Sequence, residues 1–487
     1  MGIILNQSFK NLVTTYAGFG IGAINTLFLF TYFLEQEYYG LVSFLLSAAN
    51  LIWPFMAFGV HSTLVKFFSF YKTPGEKDRL LNLVLFLPLV VSAFLGIVGF
   101  MGYDFLLSYF SDSNTLVKPY IWLIFLIALA IAYFEVFFAW SKVHFRSVFG
   151  NVMKEVFHRI CISLLLLAVY FEVLSVHWFI YGLAFVFVFR SLVMAIYAFN
   201  LYQPKINLLL PENLSSVLKY TSLILIAASV AMVLLDLDKV MIEYYLPIEQ
   251  VAIYGIMVYI ATVISVPQKA MHQITHPMTA AMLNLKDNQA LGDLYKKSSI
   301  NLLIVSGLIF VLIISNVQQL YEMIPEEYEL SMLVVLLISL AKLYDNFLGN
   351  NNSILFNSDY YRIVLSIGVF LAVLAFLFNI IFIPLYGIEG AAIASFLAFG
   401  IYNTSKIYLV YTKFHLLPVV PKTWLVIAIT TVFSIGFFFW EFPFHPLLNI
   451  ALKSLLITVL FLILAYKLNF SPEIRNLIGK YLRIKSS

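Results

Sequence analysis

Five ionisable side chains stand within long apolar runs of this chain: Glu135, Arg190, Lys269, Lys342 and Asp345. A charge in the middle of a lipid-solvated helix is costly unless it is paired or faces water, so each is a candidate for binding or coupling. Arg190 lies in FVFVFRSLVMA, and two readings meet the same desolvation cost: a cavity group that receives an anion, or a structural partner for Glu135. Lys342 and Asp345 are three residues apart on one helical face, a spacing that fits a local ion pair as well as a cavity wall. Lys269 follows Pro267, and His272 lies one turn on. A proline-broken helix frees carbonyl groups and bends toward a cavity, which favours a functional role for this pair. Three cations against two acids suit an anionic substrate such as a phosphate or an acidic sugar. Arg190, Lys269, His272 and Lys342 are therefore the substrate-binding candidates. The ion-coupling candidates are Glu135, Asp345, Asp236 and Asp238, the last two at the outer end of a run where solvation or pairing with Lys239 is the competing account. Lys406 and Lys453, near the ends of runs, are expected to snorkel.

Other chemistries are excluded. His272 and His276 form a helical pair at i, i+4, but no third ligand is near in sequence, so no metal site is expected. The single Cys161 excludes internal disulfides and cysteine-built metal sites. There is no phosphate-cradling P-loop and no zinc-protease, dithiol or nucleophile-elbow motif placed to support catalysis. The residues point to transport without a cofactor, powered at most by a proton or sodium gradient. Neither an enzyme nor a nucleic-acid binder is expected.

The elements that must position these groups follow from composition. Of 487 residues 62% are hydrophobic and 11% charged, with mean hydropathy +0.94. Soluble domains are nearer a quarter charged, so the bilayer must be the solvent. Fourteen runs are long and apolar enough to cross it: 12–33, 39–60, 80–102, 120–140, 160–177, 179–200, 220–237, 251–282, 300–320, 331–350, 363–383, 389–410, 423–441 and 448–467. They are apolar all round and do not alternate, which identifies helices and excludes barrel strands. With the N-terminus inside, the inner segments carry one, four, four, two, three, one, two and five basic residues, from Lys10 to Lys485, or 22 in all. The outer segments carry only Lys118 and Lys239, so both termini are expected in the cytoplasm. Trp122, Trp140, Trp178, Trp424 and Trp440 fall at run ends, the headgroup level that tryptophan favours; Trp53 does not.

Two stretches repeat one another. Setting Leu34 on Leu246 places Glu37 on Glu249, Gly40 on Ala252 and Leu41 on Ile253; one residue of slip then sets Pro54 on Pro267. Each copy ends an apolar helix, turns past an acid and a small residue, and enters a second helix broken by proline. Pro54 and Pro267 are the expected hinges. A spacing of about 212 residues argues for duplication, and six spans between copies is an even number, so the lobes share one orientation. The expected organisation is an N-lobe over 1–205 (spans 1–6), a C-lobe over 206–415 (spans 7–12), spans 13–14 over 416–470, and a cytoplasmic interfacial tail over 471–487. In that tail Ser471 caps a helix, Pro472 takes its first position, and Ile474, Leu477, Ile478 and Tyr481 share one face.

The stretches DLDKVMIEYYLPIEQVAIYG at 236–255, LEQEYYGLVSFLLSAANLIWPFMAFGV at 34–60 and PLYGIEGAAIASFLAFG at 384–400 resemble the corresponding junctions of polysaccharide flippases. These form the Wzx-like branch of the multidrug/oligosaccharidyl-lipid/polysaccharide exporter superfamily. The order and spacing of the stretches over nearly the whole chain carry the likeness. It implies an all-α, MATE-like fold of about fourteen spans: two six-helix lobes facing a central cavity, then two further helices. It also implies a function: moving an undecaprenyl-diphosphate-linked oligosaccharide across a bacterial cytoplasmic membrane for O-antigen, capsule or exopolysaccharide synthesis. Lipid-linked oligosaccharide, membrane lipids, a polysaccharide polymerase and glycosyltransferases would be its partners. The cations Arg190 and Lys269 fit a cationic family cavity. The acids Glu135 and Asp345 depart from it and keep a cation-coupled multidrug exporter of the same superfamily as the alternative. A membrane glycosyltransferase or polymerase would need a large outer loop bearing acids or arginines; the longest here, near 103–120, is short and hydrophobic.

Overall fold

A computed structural model describes residues 2–104, 115–206 and 209–481. No strand occurs among them. The chain forms two compact units, Met1–Gly255 and Ile256–Ser487. Among the described residues eleven helices are long and apolar enough to cross a bilayer.

In the first unit α1 (Gly2–Ile24) passes through a π-helical turn, Asn25–Leu29, into α2 (Phe30–Phe33). Leu34 is extended and ends α2, and α3 (Gln36–Ala57) follows. Pro54 sits inside α3, yet the break comes later: Phe58 and Gly59 take left-handed φ values of 47° and 72° before α4 (Val60–Phe67). The start of α5 (Pro74–Met101) is dictated locally. The Thr73 hydroxyl accepts from the Glu76 amide at 3.3 Å, the Glu76 carboxylate accepts from the Thr73 amide at 3.1 Å, and Pro74 fills the first position. After a 3-10 turn at Thr115–Tyr120 come α6 (Ile121–Val143) and α7 (Ser147–Val152). A second π turn, Met153–Phe157, leads into α8 (His158–Tyr170). Then come α9 (Val176–Leu201), α10 (Leu214–Tyr245) and the start of α11 (Glu249–Thr262). The unit's core gathers Leu64, Leu80, Val84, Phe134, Trp140 and Met194.

The repeat is visible in the backbone. Leu246 ends α10 in the same extended conformation in which Leu34 ends α2, each with its amide bonded four residues back. Gly40 packs α3 against this second junction so closely that an added Cβ would lie 2.1 Å from the Ile248 carbonyl oxygen. Only glycine fits there.

The second unit continues from α11 through a 3-10 turn, Val263–Ser265, into α12 (Val266–Asn284), with Pro267 in its first turn. The long run near Pro267 is thus two helices joined by a tight turn, as proline's missing donor requires. Then follow α13 (Asn288–Tyr321), α14 (Met332–Phe347), α15 (Asn351–Phe356) and α16 (Tyr361–Phe414). The 54 residues of α16 are two helices, because Gly387 breaks the run at φ 61°, ψ −139°. The unit closes with α17 (Pro421–Phe438), α18 (Pro446–Lys467) and α19 (Pro472–Tyr481). Ser471 caps α19 by accepting from the Ile474 amide at 3.1 Å, and it donates to Asn301 at 2.6 Å. Ile474 packs on the core of Ile300, Val426 and Phe461.

Several expectations change. The fifth span is not 160–177: the continuous helix covers 147–170, and Lys154, Glu155 and Arg159 are helical, not loop residues. Its three charges depress local hydropathy, which hid its first half. Trp140 is fully buried in the core, while Trp122, Trp178, Trp424 and Trp440 are exposed. Lys406 and Lys453 do not snorkel. Both are buried, Lys453 donating to the Ser315 carbonyl at 2.6 Å. Most of the outer loop at 103–120 lies outside the described residues, as do Arg483 and Lys485.

Candidate functional site

In the first unit, α6, the 147–170 helix and α9 converge on Glu135. The wider π turn carries Lys154, whose Nζ lies 2.6 Å from Glu135 Oε1. The next residue, Glu155, pairs with Arg159 at 3.6 Å, and Arg159 lies 5.7 Å from the ring of Phe19. The other π turn braces this helix: Asn25 donates to the Arg159 carbonyl at 2.9 Å and accepts from Ser163 at 2.6 Å. A π turn in a helix is often found where function demands a displaced side chain. Here one displaces a lysine onto a buried acid, and the other holds the helix that does so.

Arg190 does not form the ion pair with Glu135 that its neighbourhood suggested; Lys154 takes that place. The Arg190 guanidinium lies 4.3 Å from the ring of Phe134 and 4.8 Å from that of Phe187, and the residue is 5% exposed. Its Nε has no hydrogen-bond partner. Planar, weakly hydrated guanidinium tolerates such aromatic neighbours better than ammonium would. At the edge of the cluster Lys142 is exposed and lies 3.8 Å over Phe138, and the Lys154 side chain is 41% exposed beside a Glu135 side chain only 11% exposed. Four cations (Lys142, Lys154, Arg159 and Arg190) thus face two acids. The surplus positive charge grades from an exposed Lys142 through a part-exposed Lys154 to a buried Arg190. His61 and His158 stand in electrostatic reach of Glu135 and Arg190, respectively.

The second unit builds a similar group around Asp345. Lys406 Nζ lies 3.4 Å from Asp345 Oδ1 and donates to Asn352 at 3.1 Å. Gln268, the neighbour of Lys269, donates to Asp345 Oδ2 at 3.1 Å. Lys342 lies over the ring of Phe399 at 4.6 Å and Lys406 over Tyr402 at 4.4 Å. Lys342 and His272 are in electrostatic reach of the same carboxylate. Lys269 is exposed on α12, and His276 contacts Ser353 at 3.4 Å. No group of metal-ligating side chains occurs among the described residues. Asp236 accepts from Ser47 at 2.9 Å and pairs with Lys239 at 3.8 Å; Asp238 accepts from Tyr254 at 2.7 Å.

The charged residues of the two clusters recur at similar sequence offsets. Asp345 follows Glu135 by 210 residues and Lys406 follows Arg190 by 216, close to the 212-residue spacing of the leucine junctions. Lys154, Lys142 and Gln268 were missed from sequence. A span boundary placed at 160 left Lys154 outside the helix and concealed it. Glu243, buried in α10, was missed as well.

This architecture is the fold of the transporters and flippases of the multidrug/oligosaccharidyl-lipid/polysaccharide superfamily. It superposes on lipid II flippase MurJ, in the inward closed conformation, over 94% of this chain and 99% of that one, with TM-score 0.69 and 13% identity. An outward-facing MATE multidrug resistance transporter matches over 84% of this chain and 95% of its own, with TM-score 0.59 and 12% identity. A superfamily transporter from Pyrococcus furiosus, described as having a binding pocket of reverse polarity, gives TM-score 0.52 at 13% identity over 85% and 93%. No family model and no curated protein sequence matches the chain.

Proposed function

We propose that this protein is a flippase that moves undecaprenyl-diphosphate-linked oligosaccharide repeat units across a bacterial cytoplasmic membrane for surface polysaccharide synthesis. The observation that carries this reading is the cationic surplus around Glu135, with Arg190 buried at its depth and Lys142 and Lys154 at its edge. An acid-lined site would suit cationic drugs, whereas a surplus of cations suits a diphosphate or an acidic sugar. The neighbouring lipid II flippase lends the reading a lipid-linked precedent in fold. Both termini are placed in the cytoplasm by the charge bias, and a polymerase and glycosyltransferases would act on either side of the step. Lys269, Lys342 and His272 of the second unit are proposed as further substrate contacts, with a proton or sodium gradient as the drive. The drug-exporter alternative would use Glu135 as its cation site, but that carboxylate is already neutralised by Lys154 at 2.6 Å.

The test is complementation of a deletion strain. Arg190→Ala combined with Lys269→Ala is expected to abolish surface polysaccharide, with normal protein in the membrane and lipid-linked repeat units accumulating. Undiminished polysaccharide would remove these residues from the mechanism. A deletion strain hypersensitive to cationic drugs with intact polysaccharide would favour the exporter.

A further inference from the structure

A groove of about 780 Å3 runs along the second unit between the two halves of α16. Ile363, Ile367, Phe396, Leu397, Ile401 and Leu409 give it apolar walls, with Tyr408 at one end. Its two aliphatic hydroxyls are engaged: Thr404 donates to the Gly400 carbonyl at 2.7 Å and meets the Tyr344 hydroxyl at 2.9 Å, and Ser405 donates to the Ile401 carbonyl at 2.8 Å. Gly400 faces this open space: nothing lies within 4 Å of where its Cβ would stand.

One end of the groove is charged. Arg362 immediately precedes Ile363 and bonds to Tyr361 OH at 3.3 Å, and Lys413, one turn past Leu409, lies 5.2 Å from the ring of Tyr360. Both cations are exposed. Tyr360, Tyr361, Tyr408 and Tyr411 collect at this level, as aromatic side chains do at a membrane interface. From Phe396 to Leu409 the wall is about 20 Å long, at about 1.5 Å per residue. That matches one leaflet of a hydrocarbon core about 30 Å thick, allowing for tilt.

We propose that this groove is a binding site for an anionic glycerophospholipid, its phosphate between Arg362 and Lys413 and an acyl chain along Gly400. The cations supply the headgroup preference and the length of the wall sets the chain; a much longer polyprenyl chain would overrun it. The site is separate from the cluster around Glu135 and does not rest on the flippase reading.

The test is native mass spectrometry of the purified, delipidated full chain titrated with phosphatidylglycerol, phosphatidylethanolamine or undecaprenyl phosphate. One phosphatidylglycerol should bind about thirtyfold more tightly than phosphatidylethanolamine, the preference two interfacial cations provide. Gly400→Phe should remove that binding, and Arg362→Ala with Lys413→Ala should lower it to the phosphatidylethanolamine level. The paired surface variant leaves the helix interior untouched, so it decides the matter even where Gly400→Phe disturbs folding. Equal binding of the two phospholipids would overturn the proposal. So would unchanged phosphatidylglycerol binding in the paired variant, Gly400-dependent preference for undecaprenyl phosphate, or dimerisation in place of lipid uptake.

Discussion

At the scale of single residues, Arg190 and Lys154 bring charge to one cluster in different ways, Lys154 by pairing with Glu135 and Arg190 beside aromatic rings. The Arg190 guanidinium lies 4.3 Å from the ring of Phe134 and 4.8 Å from that of Phe187. Lysine keeps the charge but loses the plane and the fork of donors. Arg190→Lys is therefore expected to lower flipping roughly tenfold, about 1.4 kcal/mol, with little change in unfolding temperature. Transport of lipid-linked substrate into proteoliposomes, read beside a thermal melt, checks both halves of that expectation. An unchanged rate would mean that Arg190 serves packing alone.

Helices matter here mainly where they stop. Pro54 and Pro267 announce breaks from sequence, but the breaks themselves lie at Phe58–Gly59 and at the 3-10 turn Val263–Ser265. The second is held from outside: Asn346 donates to the Ile264 carbonyl at 2.5 Å and to Ser306 at 2.8 Å. Asn346→Ala should leave that buried carbonyl unsatisfied and cost about 1–3 kcal/mol, measured as a lower midpoint of thermal unfolding in detergent. Gly387→Ala should cost a similar amount, about 1–3 kcal/mol, because φ 61° with ψ −139° is reserved in practice for glycine. Hydrogen exchange confined to the flanks of position 387 would locate the loss. A variant as stable as the wild type would show that the kink relaxes.

Across the whole molecule, two acids carry lysine partners buried to different depths, Lys406 at 1% and Lys154 at 41% side-chain exposure, and this predicts unequal sensitivities. Asp345→Asn strands Lys406, which is 1% exposed, and is expected to cost about 3–5 kcal/mol. Glu135→Gln releases Lys154, which already reaches solvent, and should cost less than about 1 kcal/mol. Paired thermal melts of the two variants check the order, and equal losses would contradict it. The sequence by itself determined the membrane setting, the helical class and the MATE-like fold plan, because hydropathy and turn residues are local signals that survive without neighbours. It also singled out Glu135, Arg190, Lys342 and Asp345, since any charge within an apolar run is conspicuous. Tertiary structure alone decided the partners: Lys154 for Glu135, Lys406 and Gln268 for Asp345, rings for Arg190. Pairing depends on which helical faces meet and on one extra residue in a π turn, and neither leaves a mark in composition or period.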